Sequence, residues 1–386
     1  WAVNLQGNAG CSPRALASMG LLSELLSSIE AMTFFDETAK RKPGPPFRWI
    51  GLATALVVAG GLFLVPTGYV IERPGQVFNV MGEIDGKQVI SSSEVETFAS
   101  ESRFDVTTVS LLGNRESTPS WIQVLWAWVD PEQVVLPLDE VFPPNFTSEQ
   151  FRAESSLQME VSQQDAIAVA LREIGYEVPK VLYVNTVLED APASGVLIAG
   201  DLVVGANGQT VSTFDEFKSE IQAQGGQLLL VEVIRDGVAK TLEITPENNQ
   251  DTWVIGAMIG YTYDFPFTLD LQLGDVGGPS GGLIFSLGVL DSLTAGSLAG
   301  SAHIAGTGTI DPEGDVGPIG GIELKMIGAR NAGAELFLAP LANCEEVIGQ
   351  IPSNLTVVTV RDLSEALSKI ELYTSGGELP ELTCSN

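Results

Sequence analysis

The 386-residue chain has one histidine, three cysteines, and 19 lysines and arginines against 49 aspartates and glutamates. A single histidine, His303, with no Cys-x-x-Cys or Cys/His cluster around it, excludes a protein-built zinc site, and no other motif calls for a metal or a cofactor. Three cysteines cannot hold a disulfide scaffold. Cys344 and Cys384 are left able to pair, which their spacing does not decide, while Cys11 falls in a different part of the chain. The formal net charge is −30, and a surface without a basic stripe argues against nucleic acid or anionic lipid headgroups as partners of the large C-terminal part. No G-x-x-x-x-G-K-[ST] occurs: the only Gly-Lys, Gly86-Lys87, continues with Gln88, so ATP hydrolysis is not expected. With 45% hydrophobic residues the chain is nevertheless no disordered acidic tail.

Charge is unevenly spread. Residues 1–66 hold 5 basic and 4 acidic residues, which leaves 14 against 45, a net of −31, to residues 67–386. The boundary is Trp49 to Val65, seventeen residues without a charge, which with Pro66 to Tyr69 reaches the lower length limit of a membrane-spanning helix. Lys40, Arg41, Lys42 and Arg48 precede it, and only Arg73 follows at similar distance. Positive charge stays inside, so the expectation is a single-pass plasma-membrane protein with residues 1–48 as a cytoplasmic tail, a transmembrane helix over 49–69 and the rest outside. The late start and the lack of a clean small-x-small site favour an uncleaved signal anchor over a cleaved signal peptide. In the tail, Leu21 to Phe35 reads as a modest amphipathic helix.

Beyond the anchor, residues 70–159 read as mixed strands and helices without assignable chemistry, Thr107 to Leu112 being a predicted strand. Residues 160–246 form a unit. A helical stretch from Gln164 to Ile174 leads to a strand over Val181 to Val187 and another over Leu202 to Ala206. The tight turn Asn207-Gly208, a helix over Thr213 to Gln222 and a hairpin turning at Asp236-Gly237 follow. Pro192-Ala193, Gly200-Asp201, Asn207-Gly208 and Arg235-Asp236-Gly237 make this unit similar to PDZ domains of the bacterial protease-associated type. The resemblance implies a sheet edge open beside a helix, where an extended peptide adds as a strand and sets its C-terminal carboxylate on backbone N–H groups. Gly175, Tyr176, Glu177 and Val178 are the candidates for that carboxylate loop, and a mere spacer domain is the plain alternative.

The last 140 residues carry the chemistry. Gly277-Gly278-Pro279-Ser280-Gly281-Gly282 precedes an apolar helical run, which puts a serine at a helix N-terminus where backbone N–H groups can stabilise an oxyanion. By itself such a cluster is as well read as a loop and cap. Further on, Ile322 to Asn331 reads as a helix in which Lys325 shares a face with Ile322, Met326 and Ala329. A lysine among apolar neighbours loses charge stabilisation and becomes a competent base near neutral pH. The alternative is an aliphatic stem with its ammonium in water.

Together these segments resemble the proteolytic domain of the Lon family, whose Ser-Lys dyad lies in G-P-S-[AG]-G and P-I-G-G-[IL]-x-x-K with T-G-x-I between. Here they are Gly278 to Gly281, Pro318 to Lys325 and Thr307 to Ile310, with 45 residues from Ser280 to Lys325. The resemblance implies Ser280 as nucleophile, Lys325 as base, Thr307 orienting the lysine, and Gly278, Pro279 and Gly281 shaping a loop whose N–H groups from Gly278 to Ser280 face the oxyanion. Gly277 stands where ATP-dependent members have an acid, Glu323 where they often have a lysine, and Thr309 where the usual residue is glutamate. A triad of His303 with Asp275, Asp291 or Asp311 has no support in the spacing. The expected architecture is α+β and multidomain: the transmembrane helix, a PDZ-like β-rich domain over 160–246, a Lon-type α/β proteolytic domain over 250–372 and a tail over 373–386. The arrangement resembles membrane-anchored PDZ/Lon-like serine proteases, and implies an ATP-independent endopeptidase acting on polypeptides, in a homo-oligomer such as a hexameric ring. The alternatives are a proteolytically inactive peptide-binding scaffold or chaperone, and a subunit working with a separate ATP-driven motor.

Overall fold

The computed structural model describes residues 45–64, 66–84, 86–143, 147–249, 252–274, 276–382 and 384, and the chain forms two units, Trp1–Phe63 and Leu64–Asn386. In the first, helix α1 (Pro45–Leu64) takes up the apolar run. Its first turn is spent on Pro45, Pro46, Phe47 and Arg48. The uncharged remainder from Trp49 covers only about 24 Å at 1.5 Å per residue, short of a hydrocarbon core of about 30 Å. Residues expected to extend it belong to the second unit. Thr67 is buried, its hydroxyl donating to the Pro119 carbonyl (2.8 Å) and its N–H to the Thr118 hydroxyl (3.1 Å), and Tyr69 opens a strand. Among the described residues no helix is long and apolar enough to cross a membrane. This overturns the transmembrane helix predicted over 49–69, and with it the single-pass plasma-membrane placement and the membrane part of the expected architecture. The stretch Leu21 to Phe35 and Cys11 lie outside the described residues.

The second unit begins with β1 (Tyr69–Asn79), β2 (Arg103–Leu112), α2 (Trp121–Ala127), β3 (Val134–Pro137) and the long α3 (Ser148–Glu173). It continues with β4 (Lys180–Val187), β5 (Leu202–Ala206), α4 (Phe214–Gln224), β6 (Leu229–Arg235), β7 (Val238–Ile244) and β8 (Ala257–Tyr263). The last part holds α5 (Gly282–Leu293), β9 (His303–Gly306), α6 (Ile322–Asn331), β10 (Leu336–Pro340), β11 (Thr356–Val360) and α7 (Leu363–Thr374).

One six-stranded sheet has the order β11-β10-β9-β2-β1-β3, parallel from β11 to β2 and antiparallel beyond. Its parallel strands are buried on both faces, and the alternation shows which residue serves which face. Ile304, Leu336, Leu338 and Val358 join a core with α3, α5 and α7, whereas Ala305, Phe337, Ala339 and Val357 join one with α6. Helix α5 is apolar all round and buried all round, with Leu283, Ile284, Phe285 and Leu287 fully enclosed. Each such side chain contributes about 1.5–3 kcal/mol. Residues 70–159 therefore supply three strands of this sheet and the first half of α3.

A second six-stranded sheet runs β7-β6-β5-β4-β8, with Gln209–Thr210 folded back on β5. Its tight turns carry positive φ at both central residues, Asn207-Gly208 (52° and 79°) and Asp236-Gly237 (52° and 74°), as a two-residue hairpin requires. Asp201 is buried and accepts from Nε and Nη2 of Arg235 at 2.6 Å each, with Nη2 also donating to the Val196 carbonyl. The two arms of the PDZ-like pattern are thereby joined. Helix α3 begins sixteen residues earlier than the predicted stretch, on a Thr147–Gln150 capping box. Its first half is too polar to show a helical period.

Candidate active site

Ser280 sits in the turn just ahead of α5, Thr307 directly follows β9, and Lys325 lies in the first turn of α6. The sheet places Thr307, whose N–H continues the ladder onto the Leu338 carbonyl (3.1 Å). Gly321 caps α6 at φ +67°, and a Cβ there would stand 2.7 Å from a Val109 methyl, so only glycine lets the helix start this close to β2. The Lys325 ammonium nitrogen donates to the Thr307 hydroxyl (3.1 Å), which donates to the carbonyl of Ser280 itself (3.0 Å). Lys325 is 3% exposed, alongside buried Ile322, Met326 and Ala329.

Burial pushes the Lys325 amine down to about 8, with the charge of Glu72 pulling the other way. Glu72 comes from β1 and forms no ion pair with the lysine. Burial raises its own carboxyl above the usual range, Lys325 opposes this and Glu140 adds to it. One Glu72 oxygen stands 3.8 Å from where a Gly321 Cβ would be, over the start of α6. Sequence reading missed Glu72, and no local pattern announces it.

Ser280 and Lys325 both line a cavity of about 660 Å³, walled by Arg73–Gln76 of β1, Val106–Ser110 of β2 and Met159 of α3. The β1 wall is a bulge between Pro74 and Val77, pressed so closely on β2 that a Cβ on Gly75 would stand 2.2 Å from the Thr108 hydroxyl. The Ser280 hydroxyl makes no hydrogen bond to any described residue. The loop holding it hangs from α3: the Gly278 N–H donates to the Ser155 carbonyl (2.8 Å), and the Ser162 hydroxyl donates to the Pro279 carbonyl (2.9 Å). Pro279 has no N–H and that of Gly278 is engaged, so from Gly278 to Gly281 the N–H groups without an acceptor among the described residues are those of Ser280 and Gly281. Neither Ser155 nor Ser162 could be singled out from sequence, since each acts across more than a hundred residues.

The other predicted positions lie elsewhere. The N–H groups of Gly175 and Tyr176 donate to the Arg172 and Leu171 carbonyls (3.0 Å each) and close the end of α3. Glu177 is exposed, and Val178 is buried with its carbonyl taking the Arg172 guanidinium. None of the four lines the Ser280 cavity. The edge of β4 that follows them is taken along its length by β8. His303 opens β9, at the opposite end from Thr307, and its Nε2 is 2.5 Å from Asp105. Burial would raise the Asp105 carboxyl, but hydrogen bonds from His303 and Arg103 outweigh it and hold it below its usual range. Of the three aspartates considered as its partner, Asp275 lies outside the described residues, Asp291 binds Ser102 and Asp311 a turn of its own. Cys344 and Cys384 are joined, sulfur to sulfur at 2.03 Å.

Comparison with known proteins adds to this geometry. Residues 275–372 match the family profile described as the Lon protease (S16) C-terminal proteolytic domain, which supports a serine peptidase. A Lon protease of Helicobacter pylori is 35% identical over 96 residues, 24% of this chain and 11% of that protein. Lon protease 2 of Herpetosiphon aurantiacus is 38% identical over 93 residues, 23% and 11%. The chain thus spans about a tenth of the length of these curated relatives. Among solved structures, the PDZ domain of an SdrC-like protein from Listeria monocytogenes is similar at 26% identity, covering 20% of this chain and 85% of that one, with a TM-score of 0.19.

Proposed function

We propose that the chain is a serine endopeptidase that cuts flexible polypeptides without ATP, with Ser280 as nucleophile and Lys325 as general base. The observation that carries this is the buried amine held through Thr307 to the carbonyl of Ser280, in one cavity with the serine. In the neutral amine, Nζ takes the Ser280 proton as Oγ bonds to the scissile carbonyl carbon, and the carbonyl π electrons move onto oxygen. The N–H groups of Ser280 and Gly281 meet that oxyanion. Collapse breaks the C–N bond, and the Lys325 ammonium returns the proton to the leaving amine. Water, deprotonated by the same lysine, then releases the acyl product.

The substrate lies as an added strand. β2 pairs with β9 only over Arg103 to Val106, so its stretch from Thr107 to Ser110, which lines the cavity, has no strand paired on that side among the described residues, the Thr107 hydroxyl alone reaching the Gly306 carbonyl (3.0 Å). Cutting a segment already extended needs no unfolding motor. The PDZ-like sheet recruits polypeptide, with β8 and β7 as its outer strands, and the likeness to Lon motivates a homo-oligomer, readable from mass in solution.

The test is hydrolysis of an unstructured protein by the full chain without nucleotide, beside Ser280→Ala. Cleavage by the parent and loss of about a thousandfold or more in the variant is expected. Equal rates, or dependence on added ATP, would overturn the reading. A serine-reactive probe that labels the parent and not Ser280→Ala separates it from a peptide-binding scaffold.

A further inference from the structure

Positive charge is scarce beyond residue 66, at 14 basic against 45 acidic residues, and most of it is committed. Seven of these lysines and arginines pair with a carboxylate. Arg172 is spent on the carbonyls of Val178 and Pro312, and Lys325 on Thr307. Five have no hydrogen-bond or ion-pair partner among the described residues, and only two of these are arginines, Arg73 and Arg152. One stands in the candidate active site and the other beside it. Arg73 lines the cavity of Ser280, in which no described carboxylate takes part. Arg152, from the first turns of α3, lines a neighbouring cavity of about 690 Å³ that shares Val276 and Gly277 with it. In a chain with acid to spare, two exposed guanidinium groups in adjoining cavities are left without a partner among the described residues. A planar guanidinium is the group best suited to take a carboxylate through two parallel hydrogen bonds.

We propose that Arg73 and Arg152 are specificity residues that select polypeptide segments bearing acidic side chains, one carboxylate in each cavity, beside the bond that Ser280 attacks. The remaining wall of the first cavity, Phe78, Met159 and Val276, takes an apolar side chain between them. Such a cleft also offsets a global difficulty: an acidic segment is repelled by the −31 of the surrounding surface, and only a local cation rewards its arrival. The proposal rests on the peptidase reading above.

The test uses the full chain on matched unstructured peptides that differ only in carrying Glu, Gln or Lys at positions flanking one cleavable bond, with cut sites in an unfolded protein mapped by mass spectrometry. The expected result is enrichment of Asp and Glu around the cuts. The Glu-over-Gln ratio of kcat/KM should fall about tenfold in Arg73→Ala, and similarly in Arg152→Ala. Arg73→Glu should turn the preference toward Lys peptides, a gain that misfolding cannot produce. Ser280-dependent cleavage with no acidic preference, or equal losses on Glu and Gln peptides, would overturn the proposal alone. No Ser280-dependent cleavage of any peptide overturns the peptidase reading, and this inference with it.

Discussion

The stretch from residue 275 to 372 and the stretch from 69 to 173 build one site by different means. The first holds the recognisable motifs and the side chains of Ser280, Thr307 and Lys325, proposed above to carry the reaction. The second carries no motif, yet it supplies the cavity wall from β1 and β2, the hydrogen bonds at Ser155 and Ser162 that hold the serine loop, and the charge of Glu72 that acts on the lysine. Reactive groups tolerate little change of type and so leave a local signature. Walls and supports need only shape, a carbonyl or a charge at the right place, and many sequences provide those.

The sharpest cut between the two stretches is Lys325→Met, which removes the amine and keeps the volume. Under the proposed mechanism the pair acts as a unit, so peptide hydrolysis should fall about a thousandfold or more, as in Ser280→Ala. Stability should move the other way. A lysine whose folded value is about 8 against 10.5 unfolded binds fewer protons folded than unfolded between those pH values. Its burial therefore costs stability below pH 8, and the cost fades as pH rises toward 10.5. At pH 7 the methionine variant should be more stable by as much as ~3 kcal/mol, with the gap closing above pH 10. Thermal melts at pH 7 and 10 check this, and a variant less stable at pH 7 would mean that the lysine is anchored by more than Thr307.

A cut in the PDZ-like sheet should separate fold from chemistry. Arg235→Ala leaves the Asp201 carboxylate buried without its cation, which costs about 2 kcal/mol. Denaturation followed by tryptophan fluorescence measures that loss. Hydrolysis of a short peptide should hold while hydrolysis of a long unfolded chain slows; equal slowing of both would tie this sheet directly to the chemistry.

How much was legible follows the same division. Helix α6 came out of its spacing, and so did the two hairpin turns, because Asn-Gly and Asp-Gly are among the few pairs that accept positive φ twice in succession. Lys325 was singled out by its apolar neighbours. The first half of α3 was not legible, since Ser148 to Gln163 is largely polar and shows no helical period. The apolar run at Trp49 misled for a physical reason: composition and flanking charge matched a membrane span, but Arg48 is wound into the first turn and Thr67 to Tyr69 fold with the second unit. Of the N–H groups expected to face an oxyanion, that of Gly278 is already taken by a carbonyl of α3, which no sequence pattern shows.

That support from α3 can be tested on its own. Ser162→Ala deletes the bond to the Pro279 carbonyl and nothing reactive, so stability should fall by about 1 kcal/mol and kcat by about tenfold with KM nearly unchanged, since the serine loop loses its aim and the cavity keeps its wall. An unchanged kcat would show that the Ser155 carbonyl and the bonds from Thr307 and Gly308 to the Ser280 carbonyl suffice to hold the loop.

The smallest expected effect tests the electrostatics of the silent stretch. If Lys325 acts in its neutral form, the rate rises with pH through a limb centred near 8. The Glu72 carboxylate favours the ammonium, so it holds that limb higher than burial alone would. Glu72→Gln removes the charge at nearly constant shape, and the midpoint of the kcat/KM profile should move to lower pH while the plateau changes little. Glu72→Asp keeps the charge and should restore most of the parent midpoint, which a purely structural role for the side chain would not do. A midpoint unmoved in Glu72→Gln would mean that the lysine is governed wholly by its burial, and that β1 contributes a wall to the site and no field.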